Sequence, residues 1–217
     1  MVSITMADHS DDWALLTAWR GGDSRAGERL ATRYFGILTR FFLNKVRNAD
    51  DAADLVSETF LACTSSKQRV TGPGAFRPFL FAIAMNKLRG YYRKQAKRRR
   101  ELDDFADVCV ANALPRSPSS ILAHAQEARL LVRGLRRLSL AQQIVVELNV
   151  FEGLRGPQIA ELLGVPAPTV YTHLRRGRKR LATVIRELTN DPKLADSTVM
   201  GLETWALEIR AKIARDT

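Results

Sequence analysis

The stretch Phe151-Glu-Gly-Leu-Arg-Gly-Pro-Gln-Ile-Ala-Glu-Leu-Leu-Gly-Val-Pro-Ala-Pro-Thr-Val-Tyr-Thr-His-Leu-Arg-Arg-Gly-Arg-Lys-Arg180 leaves few folds open. Pro157 stands where a proline opens a helix, since the first helical N–H needs no partner. Ile159, Ala160, Leu162 and Leu163 then fall on one apolar face. Gly164 can take the left-handed conformation that ends a helix, and the chain turns at once into a second one. In that second helix Val170, Leu174, Gly177 and Leu181 face inward, while Tyr171, Thr172, Arg175, Arg176, Arg178 and Lys179 face outward or flank the seam. This is the layout of a helix-turn-helix, whose second helix enters the major groove of DNA. A helix hairpin with a solvated basic surface is the plainer reading. The small Ala160, the glycine turn and the density of basic residues favour DNA.

Charge agrees with that reading. The chain of 217 residues carries 34 Lys and Arg against 23 Asp and Glu, a formal net charge of +11. A basic excess of this kind suits a polyanion, because Lys and Arg release the counterions condensed on phosphates. Cys63 and Cys109 are far apart, and His9, His124 and His173 are scattered, so no zinc-ligand spacing exists. Neither a metal nor any other cofactor is expected. The opening MVSITMADHSDDW has no basic region followed by an apolar run, and no stretch reaches the ~18 apolar residues of a membrane span. The expected location is the cytoplasm, with free thiols and no membrane insertion.

Ahead of the helix-turn-helix the chain reads as helical almost throughout. Asp51-Ala-Ala-Asp-Leu-Val-Ser-Glu-Thr-Phe60 gathers Ala52, Leu55, Val56, Thr59 and Phe60 on one face and Asp51, Asp54 and Glu58 on the other. Asp50 and Asp51 suit the positive end of the helix dipole. Asp54 and Glu58, like charges four residues apart, cost a few tenths of a kcal/mol, which points to a basic partner for this face. Thr71-Gly-Pro-Gly-Ala75 is a loop. The helix after it carries Phe79, Phe81, Ile83, Met85, Leu88 and Tyr92, then the basic run Lys87, Arg89, Arg93, Lys94, Lys97, Arg98, Arg99 and Arg100. Aromatics leading into such a run can stack unpaired bases and hold a backbone. Acidic residues from Glu101 to Asp107 and the Pro/Ser-rich segment Leu114–Ser120 then mark a linker.

Taken in order, these stretches resemble one family. The chain is similar to bacterial extracytoplasmic-function (ECF) sigma factors of the sigma-70 family, the promoter-recognition subunits of RNA polymerase, over about Asp11 to Leu188. Asp51–Phe60 resembles the family's core-polymerase-binding helix, Phe76–Asn86 its promoter-melting segment, and the helix-turn-helix its reader of the upstream promoter element. The resemblance implies an all-α fold: two small helical domains joined by a flexible linker, with a C-terminal helical extension. The expected limits are an N-terminal tail 1–10, a region 2-like domain 11–100, a linker 101–125, a region 4-like domain 126–188 and the extension 189–217.

The resemblance also implies roles. Asp51, Asp54, Leu55 and Glu58 would bind core RNA polymerase. Thr71, Gly72, Phe76, Asn86, Arg89 and Arg93 would bind and melt the −10 element, with the loop 71–75 and Asn86 holding a flipped base. Thr169, Tyr171, Thr172, Arg175, Arg176, Arg178 and Lys179 would meet the −35 element, with Arg175, Arg178 and Lys179 on phosphates, which position but do not specify. Core polymerase, promoter DNA and an anti-sigma factor are the implied partners, and no enzymatic activity is implied.

The chain departs from the family pattern in places. Tyr171 and His173 stand where basic residues are usual, Pro166 and Pro168 flank the start of the recognition helix, and Leu61-Ala-Cys-Thr-Ser-Ser66 lacks a customary tryptophan. The segment Asn190–Thr217 exceeds the common length; its Val199, Leu202, Trp205, Leu207, Ile209 and Ile213 suit an amphipathic helix. One reading docks it on one of the domains to regulate promoter access; a disordered or merely stabilising tail is the other. Two rival functions remain. A helix-turn-helix regulator acting without core polymerase would need a sensor domain in the first half, where no βα pattern occurs. A nuclease or recombinase would need clustered carboxylates or a nucleophile with basic partners, and the acidic residues lie along a helix surface instead.

Overall fold

The computed structural model describes residues 4–46, 48–101, 122–199 and 201, with side chains over 11–46, 48–96, 129–199 and 201. Among them there are helices and connecting turns and no strand. The chain divides into two compact units on either side of Ala111 and Asn112. The acidic and Pro/Ser-rich linker residues 102–121 lie outside the described residues.

Among the described residues the first unit has four α-helices, α1 (Ile4–Arg20), α2 (Ser24–Leu43), α3 (Ala49–Ser66) and α4 (Phe76–Glu101), with a short 3-10 turn, Lys67–Arg69, after α3. Helix α1 begins inside the stretch expected as a tail, because nothing between Ile4 and Asp12 is a glycine or proline that would stop it. Asp23 caps α2 by accepting from the backbone of Arg25 and Ala26, and Asn48 caps α3 by accepting from Asp51 N–H. Each helix packs on its neighbour, and α4 returns to α1. The shared core includes Leu16, Leu30, Leu38, Phe42, Val56, Leu80, Phe81 and Leu88. Phe41 meets the Phe81 ring edge-on at 5.4 Å and Tyr34 meets Phe76 at 5.3 Å.

A polar cluster lies within this apolar core. Asp12 on α1 is 1% exposed and accepts from Arg33 Nη1 at 2.6 Å and from the Tyr34 hydroxyl, both on α2. Arg77 Nε, on the first turn of α4, donates to the Tyr34 oxygen at 3.3 Å. Burial pushes the Asp12 carboxyl above its ordinary value, against the hydrogen bonds from Tyr34 and Arg33. Three helices are thereby pinned by one set of hydrogen bonds.

Cys63 on α3 is buried, and that burial pushes its thiol up to about 12. At pH 8 it holds about a thousandfold less thiolate than an ordinary cysteine, and thiolate is the reactive form. In a Cys109→Ser variant, Cys63 should react with a thiol reagent far more slowly in the native state than in urea. Equal rates would show that α3 is not packed as described.

The second unit is built around α8 (Ala167–Leu188), against which α5 (Leu122–Arg136), α6 (Leu140–Val146) and α7 (Gly156–Leu163) all pack. Helix α6 runs on into one wider π turn, Glu147–Phe151. A further helix, α9, covers 192–199 among the described residues. Leu130, Leu131, Leu135, Val146, Val150, Leu181 and Ile185 form the core, and Ala195 of α9 is buried with them. Leu194 and Val199 pack against the same cluster. The first part of the extension therefore belongs to this unit's core. Leu202, Trp205, Leu207, Ile209 and Ile213, expected on an amphipathic helix, lie outside the described residues.

Candidate nucleic-acid interface

The helix-turn-helix of the second unit forms as the sequence pattern predicts. Pro157 sits in the first turn of α7, and Gln158 Oε1 accepts from Arg155 N–H at 2.9 Å to close that helix start. Gly164 ends α7 in the left-handed conformation, φ 69° and ψ 38°. Pro166 then precedes α8, and Ile159 of α7 and Val170 of α8 are both fully buried where the two helices pack. At Gly177 a Cβ atom would stand 2.8 Å from Val146 Cγ2 and 3.3 Å from Gln142 Cβ. The missing side chain is what allows α8 to cross α6 so closely.

The 3.6-residue period places Thr172, Arg175 and Lys179 opposite the buried Val170, Gly177 and Leu181. Tyr171 and Arg178 lie at one margin of that outer face, and Thr169 and Arg176 at the other. Arg175, Arg176, Arg178 and Lys179 are exposed, while Thr169 and Thr172 are half-buried. Thr172 Oγ1 donates to the Pro168 carbonyl at 2.9 Å, which leaves its lone pairs to accept from outside. Arg178 Nη2 donates to Asn149 Oδ1 at 3.3 Å, and Asn149 Nδ2 donates to the Leu154 carbonyl at 3.0 Å. This tie between α8 and the π turn has no local signal in the residue pattern.

In the first unit the loop before α4 is held at its root. Arg20 of α1 donates to the carbonyls of Lys67 and Val70, at 3.0 Å and 2.6 Å. Gly72 and Gly74 then adopt φ of 85° and 78°, and Thr71 projects outward. Asn86, Arg89 and Arg93 are exposed along one face of α4, with Arg89 Nη1 donating to Asn86 Oδ1 at 3.2 Å. Phe76 is not part of this surface. It is buried against Tyr34, because the first turn of α4 closes the core. Of the aromatics expected to stack bases, Phe81 is buried and Phe79 half-buried, while Tyr92 is exposed with its O–H donating to the Lys45 carbonyl at 2.5 Å; the half-buried Tyr91 O–H donates to Asp51 at 2.8 Å. The side chains of Lys97, Arg98, Arg99 and Arg100 lie outside the described residues.

On α3 the acidic face divides. Glu58 pairs with Lys87 at 3.1 Å and Asp51 accepts from Tyr91, so α4 supplies part of the basic partner that the like charges called for. Asp54 is exposed and makes no ion pair among the described residues. Leu55 turns inward at 5% exposure and has no surface to offer, since it lies on the apolar stripe that packs the bundle. The apolar contribution to this face comes instead from Leu61, one turn past Glu58 and 71% exposed, which the sequence pattern did not single out.

Known proteins share both halves of this architecture. The family described as "Sigma-70 region 2" matches residues 28–98, and "Sigma-70, region 4" matches residues 128–181. An RNA polymerase sigma factor, NccH of Alcaligenes xylosoxydans xylosoxydans, is 28% identical over 183 residues, spanning 83% of this chain and 98% of that protein. The ECF RNA polymerase sigma-E factor of Haemophilus influenzae is 27% identical over 193 residues, spanning 84% of this chain and all of that one. Among solved structures, the sigma factor RpoE of Bartonella quintana, in complex with the anti-sigma factor NepR, superposes with a TM-score of 0.60 at 19% identity, covering 76% of this chain and 97% of that one. CnrH, in complex with the cytosolic domain of CnrY, gives 0.58 at 23% identity, covering 82% and 99%. With both regions present in family order on a helical scaffold of the same fold, the chain belongs to the ECF group of the sigma-70 family of RNA polymerase sigma factors.

Proposed function

We propose that this chain binds core RNA polymerase and directs it to promoters, the region 2-like domain 11–100 engaging the polymerase and the −10 element and the region 4-like domain 126–188 the −35 element. One observation carries this reading: an exposed acidic helix face and a basic recognition helix occur in one chain, in two separate units. Asp54, with Glu58 and Leu61 on successive turns of α3, forms the polymerase surface, and Asp51 borders it. Thr71 and Gly72 with Asn86, Arg89 and Arg93 meet the melted strand. Thr169, Tyr171, Thr172 and Arg176 approach base edges and the flanking sugar-phosphate, while Arg175, Arg178 and Lys179 hold phosphates. The chain is not an enzyme and works in the cytoplasm; no described helix is long and apolar enough to cross a membrane. An anti-sigma factor that masks the chain from polymerase is the remaining partner.

The test is reconstitution. The purified chain, added to bacterial core polymerase on a library of promoter fragments, should produce specific transcripts that core alone does not. Binding to DNA without any association with core polymerase would favour a helix-turn-helix regulator instead. Phosphate contacts carry their own signature. Alanine at Arg175 or Lys179 should weaken binding of the holoenzyme uniformly across promoter sequences and reduce the slope of log K against log salt by about 1. A change in base preference without a change in slope would move those residues to base edges.

A further inference from the structure

Tyr171 is the unusual residue of the recognition helix. It is 53% exposed, yet its ring is not loose. A Cβ atom built on Gly156 would stand 2.6 Å from Tyr171 Cζ, 2.7 Å from its hydroxyl oxygen and 2.8 Å from Cε1. The far end of the ring is therefore laid on the backbone of Gly156, at the start of α7, in space that any other residue would fill. That helix start is itself fixed by Pro157 and by the Arg155–Gln158 hydrogen bond. With its hydroxyl end seated, the ring presents its remaining face at the margin of the outer surface of α8, beside Thr172 and Arg175. A held apolar plane in the major groove has one chemical target among base edges, the C5-methyl group of thymine.

We propose that Tyr171, seated on Gly156, is a specificity-determining residue that reads a thymine methyl in the upstream promoter element. The inference rests on the promoter-reading function proposed for α8. Gly156 acts only through Tyr171 and is a positioning residue. At this position alanine costs the fold little: it is at least as good a helix former as glycine, and the atoms it would strike are the far end of a side chain that can swing away. Gly156→Ala should therefore displace the ring while leaving the domain folded.

The experiment is selection of a promoter library, randomised across the upstream element, by holoenzyme assembled from core polymerase and each of four chains: wild type, Tyr171→Phe, Tyr171→Ala and Gly156→Ala. Wild type and Tyr171→Phe should share one preference profile, because the phenylalanine ring keeps the plane. Tyr171→Ala and Gly156→Ala should both lose preference for thymine at one and the same position, by about fourfold, the value of burying one methyl-sized group. Deoxyuridine at that position, which lacks only the methyl, should cost wild type the same factor and cost Tyr171→Ala nothing. Thermal melting of Gly156→Ala should stay with wild type. Uniform weakening of all sequences by Tyr171→Ala, or loss of the preference in Tyr171→Phe, would overturn the proposal. A wild-type holoenzyme that selects no upstream sequence at all would instead remove the promoter-reading function on which it rests.

Discussion

Asp54→Arg should abolish promoter-specific transcription by the reconstituted holoenzyme, with a loss of about a hundredfold or more, while the isolated protein melts as wild type does. Asp54 is exposed on α3 and makes no ion pair among the described residues, so its reversal removes nothing from the fold. At an interface with a basic partner the same change swaps an attraction for a like-charge juxtaposition, which costs several kcal/mol. The contrast with Glu58 is informative. Its carboxylate already meets Lys87 at 3.1 Å, so Glu58→Arg would disturb the contact between α3 and α4 as well as the outer surface. Asp54 is thus the cleaner probe. Transcription by Asp54→Arg at the wild-type level, with core polymerase limiting, would place the polymerase contact elsewhere on the first unit.

Asp12→Ala should do the opposite, damaging the fold and function together. The carboxylate is buried and anchors Arg33 and the Tyr34 hydroxyl, and Arg77 reaches the same group through Tyr34. Deleting Asp12 removes the acceptor of the buried Tyr34 hydroxyl and the buried carboxylate that, together with the exposed Asp11, pairs with Arg33. Loss of one member of a buried charged cluster costs about 3–5 kcal/mol, a large share of a small domain's stability. Urea unfolding followed by the fluorescence of Trp13 and Trp19, both in the first unit, would report it in a Trp205→Phe background. Asp12→Asn, which keeps an acceptor for Tyr34, should recover part of the loss. An Asp12→Ala midpoint equal to wild type would mean that water reaches the cluster and replaces the carboxylate.

These two residues show what a sequence yields and what it withholds. Asp54 was readable because a helix with Ala52, Leu55, Val56 and Thr59 on one face must turn Asp54 outward. The same periodicity sends Leu55 inward, and only the family resemblance had placed it on the polymerase surface; geometry prevails there. Phe76 fails for a related reason: a large aromatic at the start of a helix gains more from the core than from water. The helix-turn-helix was legible almost residue by residue, since proline, glycine and a 3.6 period are local signals. Contacts distant in sequence were not. Nothing about Gly156 marks it as a seat for a ring fifteen residues later, and nothing about Asn149 marks it as an acceptor for Arg178. Between these cases lies the extension. Asp191 accepts from the N–H groups of Lys193 and Leu194, a helix start written plainly as Asp-Pro, yet the burial of Ala195 depends on surfaces of α5 and α8.

The close crossing at Gly177 makes α8 a lever with its fulcrum inside the domain. From Gly177 back to Ala167 the helix extends about 15 Å, and a tilt of about 10° there would carry its tip by about 3 Å, close to one base-pair step. Val146 and Gln142 set that tilt although neither lies on the outer face of α8. The size of Val146, fully buried in the second unit, is thus a gear between packing and the pose of α8. On the promoter-reading role proposed for α8, substitutions there would shift the preferred sequence without touching DNA.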